Sequence, residues 1–247
     1  MEVKNKLNYD LSNGIQRIDE YLNNQGEYEE RHVIPTRSQL TFSNGFYVDC
    51  YAVFVDIRSS SQLPELHQKR VLAKIYRSYI SELTAIMQEF NNCKEINIVG
   101  DCVSGIFCRN NKDDVMQPFQ AAYTINGIIK VLNYKLEKKG WSTIKIGIGI
   151  ASGKALMIQA GYKGSGLNDV VWMGDVVNQA SNLCNIANKN GNGVIVVSEG
   201  VYNDLHGKLG TNNVPYQEML TKVNFYNDFY SGNIVLTTIQ NWLDYHK

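Results

Sequence analysis

Two aspartates stand at unusual places in this chain of 247 residues. Asp56 closes the apolar run Ala52-Val53-Phe54-Val55, and Asp101 sits beside Gly100 between two apolar stretches. If the first strand neighbours the hairpin that carries Asp101, both carboxylates meet at one sheet edge. Paired carboxylates are hard oxygen ligands, suited to magnesium or manganese carrying a triphosphate. Two such ions about 4 Å apart activate an attacking oxygen and neutralise the charge developing on phosphorus and leaving group. The competing structural reading is a strand-end aspartate and a turn aspartate, both common. The segment after Asp56, Ile57-Arg58-Ser59-Ser60-Ser61, favours the chemical reading. Backbone amides at such a turn and helix start cradle a polyphosphate, and Arg58 is placed either to pair with a phosphate or to lie in solvent.

The elements that must position these residues follow from periodicity. Tyr51 to Asp56 has the form of a strand buried on both faces. Pro64 sits where a helix starts, and Leu72, Ile75, Tyr79, Leu83, Ile86 and Phe90 mark one face of a long helix. Ile96 to Val99, then Gly100-Asp101, then Cys102 to Cys108, reads as a hairpin. A second helix covers about 113–138, with Phe119, Ala122, Ile125, Ile129, Leu132 and Leu136 inward. Ile144, Ile146, Ile148 and Ile150 alternate with lysine and glycine as a half-buried strand, and Lys154 to Ala160 supplies a second hairpin arm. A glycine-rich loop spans Gly161 to Asp169, a helix Asp175 to Lys189, a strand Gly193 to Ser198, and a short helix Glu199 to Leu205. Ile234 to Thr238 is one more strand candidate. The pattern predicts an α+β fold, helices packed on a mainly antiparallel sheet. Residues 1–44 read as an N-terminal appendage in which Ile15, Ile18 and Leu22 mark a short amphipathic helix, followed by the polar stretch Asn23 to Arg31. Residues 45–247 read as one catalytic domain.

Composition excludes several classes. The 24 basic residues balance the 24 acidic ones, so no electrostatic footprint for nucleic acid or an anionic membrane exists. No apolar run approaches the ~20 residues of a bilayer span, and the first residues lack a signal peptide's apolar core, which predicts a cytoplasmic protein. Five cysteines without a CxxC pair suggest neither a disulfide framework nor a zinc site. His32, His67, His206 and His246 show no ligand spacing.

Five motifs in order, over roughly residues 45–205, carry a family resemblance. Phe54-Val55-Asp56-Ile57 and Ile98-Val99-Gly100-Asp101 resemble the two metal motifs of class III adenylate and guanylate cyclases. Residues 146–153 resemble the strand before their dimer-facing hairpin. Trp172-Met173-Gly174-Asp175-Val176-Val177-Asn178-Gln179-Ala180-Ser181 resembles the start of their ribose-binding helix, and residues 193–198 their closing strand. The resemblance implies a ferredoxin-like catalytic domain in a head-to-tail homodimer. It implies that Asp56 and Asp101 bind two divalent ions, Mn2+ or Mg2+, that Ile57 lends a carbonyl, and that Asn178 orients the ribose across the dimer interface.

The departures bear on the base. Asn97 stands where adenylate cyclases place a base-reading lysine, Val171 where a second reader lies, and Asn182 where an arginine stabilises the transition state. Asn182 keeps a neutral donor on the face of Asn178, and Arg58 is a candidate cation to replace the missing charge. With Ser59 and Ser60 at the phosphates, the residues from Ile34 to Gly45 and from Val55 to Ser61 look like the pyrimidine cyclases of the bacterial antiphage system Pycsar. That resemblance implies synthesis of cyclic CMP or cyclic UMP from the triphosphate, read by a separate effector protein. Phe54 and Trp172 then fill space that a purine would take, and Asn97 suits cytosine or uracil. The alternatives are an adenylate cyclase with unorthodox base contacts and an inactive cyclase-like binding domain.

Overall fold

Two long strands organise the chain, whose computed structural model describes residues 8–223 and 228–246. The order begins α1 (Leu11–Leu22), β1 (Tyr28–Arg31) and β2 (Gly45–Ile57). Then come α2 (Leu63–Leu66), α3 (Lys69–Gln88), the hairpin β3 (Cys93–Val99) and β4 (Cys102–Cys108), and α4 (Met116–Glu137). A second hairpin, β5 (Ile146–Tyr162) and β6 (Leu167–Met173), leads into α5 (Asp175–Ile186). β7 (Ile195–Ser198), α6 (Glu199–Asp204), β8 (Thr221–Val223), β9 (Phe229–Gly232) and α7 (Thr237–His246) follow. Among the described residues these form a nine-stranded sheet in the order β3-β4-β2-β5-β7-β9-β8, with β1 added to β2 and β6 to β5. Only the β1–β2 and β5–β7 pairs among them are parallel. The architecture is the α+β, mainly antiparallel one expected.

β2 is apolar from Cys50 to Val55 because both its faces are covered there. Tyr51, Val53, Val55 and Ile57 pack with Ile75, Tyr79 and Leu83 of α3 and Phe119, Ala122 and Ile125 of α4. Cys50 and Ala52 pack on the other side with Ala180 and Leu183 of α5 and with Ile34 and Leu40. Alternation then assigns each β2 residue to a face, with Phe54 and Asp56 on the α5 side.

Four expectations change. The Ile-Gly alternation of β5 reads as a strand with one wet face, yet Ile146 to Ala151 are all buried. The glycine face lies under α5, which approaches so closely that a Cβ on Gly149 would stand 2.2 Å from the Ala180 carbonyl oxygen. The expected loop 161–169 is mostly strand, since β5 runs to Tyr162 and β6 starts at Leu167, leaving residues 163–166 as the turn. The polar stretch before Arg31 contains β1, which pairs with the start of β2. Ile234 to Thr238 is not a strand: α7 begins at Thr237, and Asn126 of α4 donates to the Ile234 carbonyl at 2.8 Å. The strand of that corner is β9, on which Tyr230 stacks over Tyr202 at 3.5 Å.

Candidate active site

Asp56 is the penultimate residue of β2, opposite Gly147 of β5. Asp101 sits in the tight turn of the β3–β4 hairpin, where Gly100 adopts a φ of 64° open to glycine at no steric cost. β4 pairs with β2 through Val55 and Val103, so the turn delivers Asp101 to the end of the sheet beside Asp56. The carboxylates act on each other. Burial, and then the negative charge of Asp101, push the Asp56 carboxyl up to about 6. The neighbouring Cys102 thiol is pushed up to about 11 by burial, with Asp56 and Asp101 adding to it.

Asp101 Oδ2 is buried without a hydrogen-bond partner. An orphaned anionic oxygen in a negative corner fits a divalent cation. Among the described residues no group of three or more histidine, cysteine, aspartate or glutamate side chains gathers to cage one. Two carboxylates alone match cations that keep waters and arrive with substrate phosphates. Ile57 buries its side chain in the first core, so only its backbone is available to a cation.

A cation taken up at Asp56 would have to displace a proton. In the cation-free protein the folded state holds the Asp56 proton up to about pH 6, whereas the unfolded chain releases it in the ordinary carboxylate range. Stability therefore falls as pH rises through that window, and Asp56→Asn should flatten the fall. Manganese affinity should rise about tenfold per pH unit up to about 6 and then level off, as read by calorimetric titration. A flat profile between pH 5 and 7 would contradict the paired-carboxylate site.

Arg58 departs from the expectation of a phosphate-facing cation. Its side chain is only 8% exposed and pairs with Asp56 Oδ2 at 3.1 Å. The guanidinium also donates to the Asn185 carbonyl at 3.0 Å, at the end of α5. Burial and an internal partner commit it to positioning Asp56 against α5. Ser59 takes a left-handed conformation (φ 55°) and Ser60 opens a short 3-10 turn into α2, so the serine segment is a turn as expected.

The base-reading candidates meet on one face. Asn97 pairs with Ser104, Ser104 with Phe54, and Phe54 with Gly149, so Asn97, Ser104 and Phe54 form one row on the α5 side. Strand spacing sets Asn97 about 10 Å from Phe54, with the Ser104 hydroxyl between them. Ser104 was not legible as a site residue, because only register places it there. Tyr79 is core as expected, with its hydroxyl buried without a partner, and the negative charge of Asp56 adds to the burial that raises it. Phe54 and Trp172 both pack against the second core, while Val171 lies on the outward face of β6. Trp172 and Val171 thus point to opposite sides of the hairpin.

α5 runs back along β5, its last turn over Gly147 and its first over Gly153. Ala180 and Cys184 face the sheet, and at 100° per residue Asn178 and Asn182 fall on the opposite, exposed side. They are not turned toward Asp56 and Asp101 of their own chain.

A sheet of this topology with two aspartates at its edge defines a nucleotide-cyclising domain. Residues 46–224 match the adenylate and guanylate cyclase catalytic domain, and the chain belongs to that family: it is a class III nucleotide cyclase. Two relatives share most of its length. A protein of Gulbenkiania mobilis named uridylate cyclase is 43% identical over 253 residues, covering 97% of each chain. A uridylate cyclase of Treponema porcinum is 35% identical, covering 96% of this chain and 82% of its own. Among solved structures, the adenylyl cyclase CyaB from P. aeruginosa superposes with a TM-score of 0.62 at 20% identity, over 76% of this chain and 94% of its own, a likeness of fold.

Proposed function

We propose that the chain cyclises a pyrimidine nucleoside triphosphate, UTP ahead of CTP, to its 3′,5′-cyclic monophosphate. The 3′-oxygen bonds to the α-phosphorus, the hydroxyl proton departs, and the bond to the β-phosphate breaks to release pyrophosphate. Asp56 and Asp101, with the Ile57 carbonyl, hold two divalent ions, Mn2+ or Mg2+. When bound, the ions supply Lewis acidity to the 3′-oxygen and the leaving phosphates. The amides of the Ser59–Ser60 turn cradle the phosphates. Asn178 and Asn182 are displayed away from their own carboxylates, which supports a homodimer in which Asn178 of the partner subunit orients the ribose. Asn182 offers a neutral donor where family members place an arginine. Residues 1–44 lead into the catalytic domain that starts near residue 45, with β1 joining its sheet and Ile34 and Leu40 its core.

The observation that carries the base is the row Asn97–Ser104–Phe54. Two small neutral polar side chains beside an aromatic ring in one row suit a small base with neighbouring donor and acceptor edges. The names of the relatives favour uracil. The resemblance to Pycsar cyclases supports a cytoplasmic role in antiphage defence, with a separate effector protein reading the cyclic product. No described helix is long and apolar enough to cross a membrane.

Turnover of UTP, CTP, ATP and GTP under matched manganese tests the reading. A pyrimidine should be favoured at least about tenfold, or about 1.4 kcal/mol in transition-state binding. Asn97→Ala should erode that preference more than it weakens triphosphate binding, because a half-buried polar side chain that pairs with the base edge discriminates between bases while metals and backbone hold the triphosphate. A preference for ATP would sink the base assignment and leave the carboxylate site standing.

A further inference from the structure

The first helix presents its apolar stripe to the wrong side for a monomer. An ordinary surface helix turns its apolar residues toward the core. In α1 a different side meets the body: Gly14 is buried, the Tyr21 ring stands 6.4 Å from that of Phe42, the Arg17 guanidinium lies 5.0 Å over the Tyr162 ring, and Lys163 reaches Glu20 at 3.5 Å. Leu11, Ile15, Ile18 and Leu22 stay 66%, 53%, 56% and 79% exposed. Their spacing of four, three and four residues is that of a coiled-coil a/d seam, narrower than the stripe of a core-facing helix. The N-terminus is well made, since Asp10 caps it by accepting from the Ser12 and Asn13 amides at 2.9 and 3.2 Å.

We infer that this seam pairs with α1 of a second copy of the chain and strengthens the dimer that completes the active site. The inference rests on the shared-site reading above. A seam of this spacing is complementary to itself, as a two-fold contact requires. It is also continuous with the hairpin that the family resemblance turns toward the partner. α1 stands on the tip of the β5–β6 hairpin, whose outer face exposes Val171 and Met173 opposite Ile158 and Leu156. A helix of 12 residues, short of two heptads, does not associate alone, so the helices pair only where another interface already holds them close.

Sedimentation equilibrium and turnover against protein concentration test this on the full chain. Ile15→Glu/Ile18→Glu should raise the dimer dissociation constant by about tenfold or more. Turnover of the dilute variant should fall in step and recover at high concentration, while Ile15→Leu/Ile18→Leu behaves as wild type. A glutamate variant that dimerises with wild-type affinity overturns the inference. So does loss of flotation with phosphatidylcholine–phosphatidylglycerol vesicles at unchanged dimer affinity, which would assign the stripe to a lipid surface. Mixing Asp56→Ala with Asn178→Ala chains tests the shared site separately. Recovered turnover beside an unweakened glutamate variant removes the seam alone. No recovery in verified heterodimers removes the shared site and the seam's link to turnover.

Discussion

Asp101→Ala should lower turnover at least about 10³-fold, roughly 4 kcal/mol of transition-state stabilisation, and leave the fold intact. The fold does not depend on this carboxylate: its buried Oδ2 lacks a hydrogen-bond partner, and its charge raises the neighbouring Asp56. Removing it relieves repulsion in the cation-free protein, so the melting temperature without divalent ions should hold or rise. Asp56→Ala should be equally inactive for a mixed reason. It strips the buried Arg58 guanidinium of its ion pair, so this variant should also melt lower. Turnover with manganese and thermal melts with and without it measure both effects. An Asp101→Ala protein with near-normal turnover, or one that does not fold, would overturn the metal-ligand assignment.

Gly149→Ala should destabilise the protein by about 3 kcal/mol or more, the upper end for overpacking. The added Cβ would stand 2.2 Å from both the Ala180 carbonyl oxygen and the Cys184 amide nitrogen, which are backbone atoms with no rotamer to move. α5 must lift away from β5 as a unit. That displaces Asn178 and Asn182 and loosens the Arg58 contact at Asn185. For a chain of this size the melting temperature should drop by about 6–12 °C, with turnover falling further than stability alone explains. A melt within a degree or two of wild type would mean that α5 does not sit this close.

Much of this protein was legible in its sequence because local patterns report local physics. The doubly buried run into Asp56 could only be a central strand. The Gly100-Asp101 pair between apolar stretches could only be a turn. Helical spacing alone set Asn178 and Asn182 on one face. Periodicity failed where the reason was non-local. The β5 glycines mimic the polar positions of a half-wet strand, and only α5 lying on them shows that they are spaces for another backbone. Ile234 to Leu236 has strand-forming side chains, yet its backbone is claimed by Asn126 across 108 residues of sequence.

Residue types and order therefore determined the family and the carboxylate pair, because each depends on a side chain's chemistry and a few neighbours. Tertiary structure alone decided what those side chains face. Register set Ser104 between Asn97 and Phe54, since strand pairing is not encoded in either strand by itself. Burial turned Arg58 inward to Asp56, a choice that depends on a helix more than 120 residues further along. The packing of α1 through Gly14, Arg17 and Tyr21 left its apolar seam in solvent, a surface whose meaning lies in which side of the helix the body occupies.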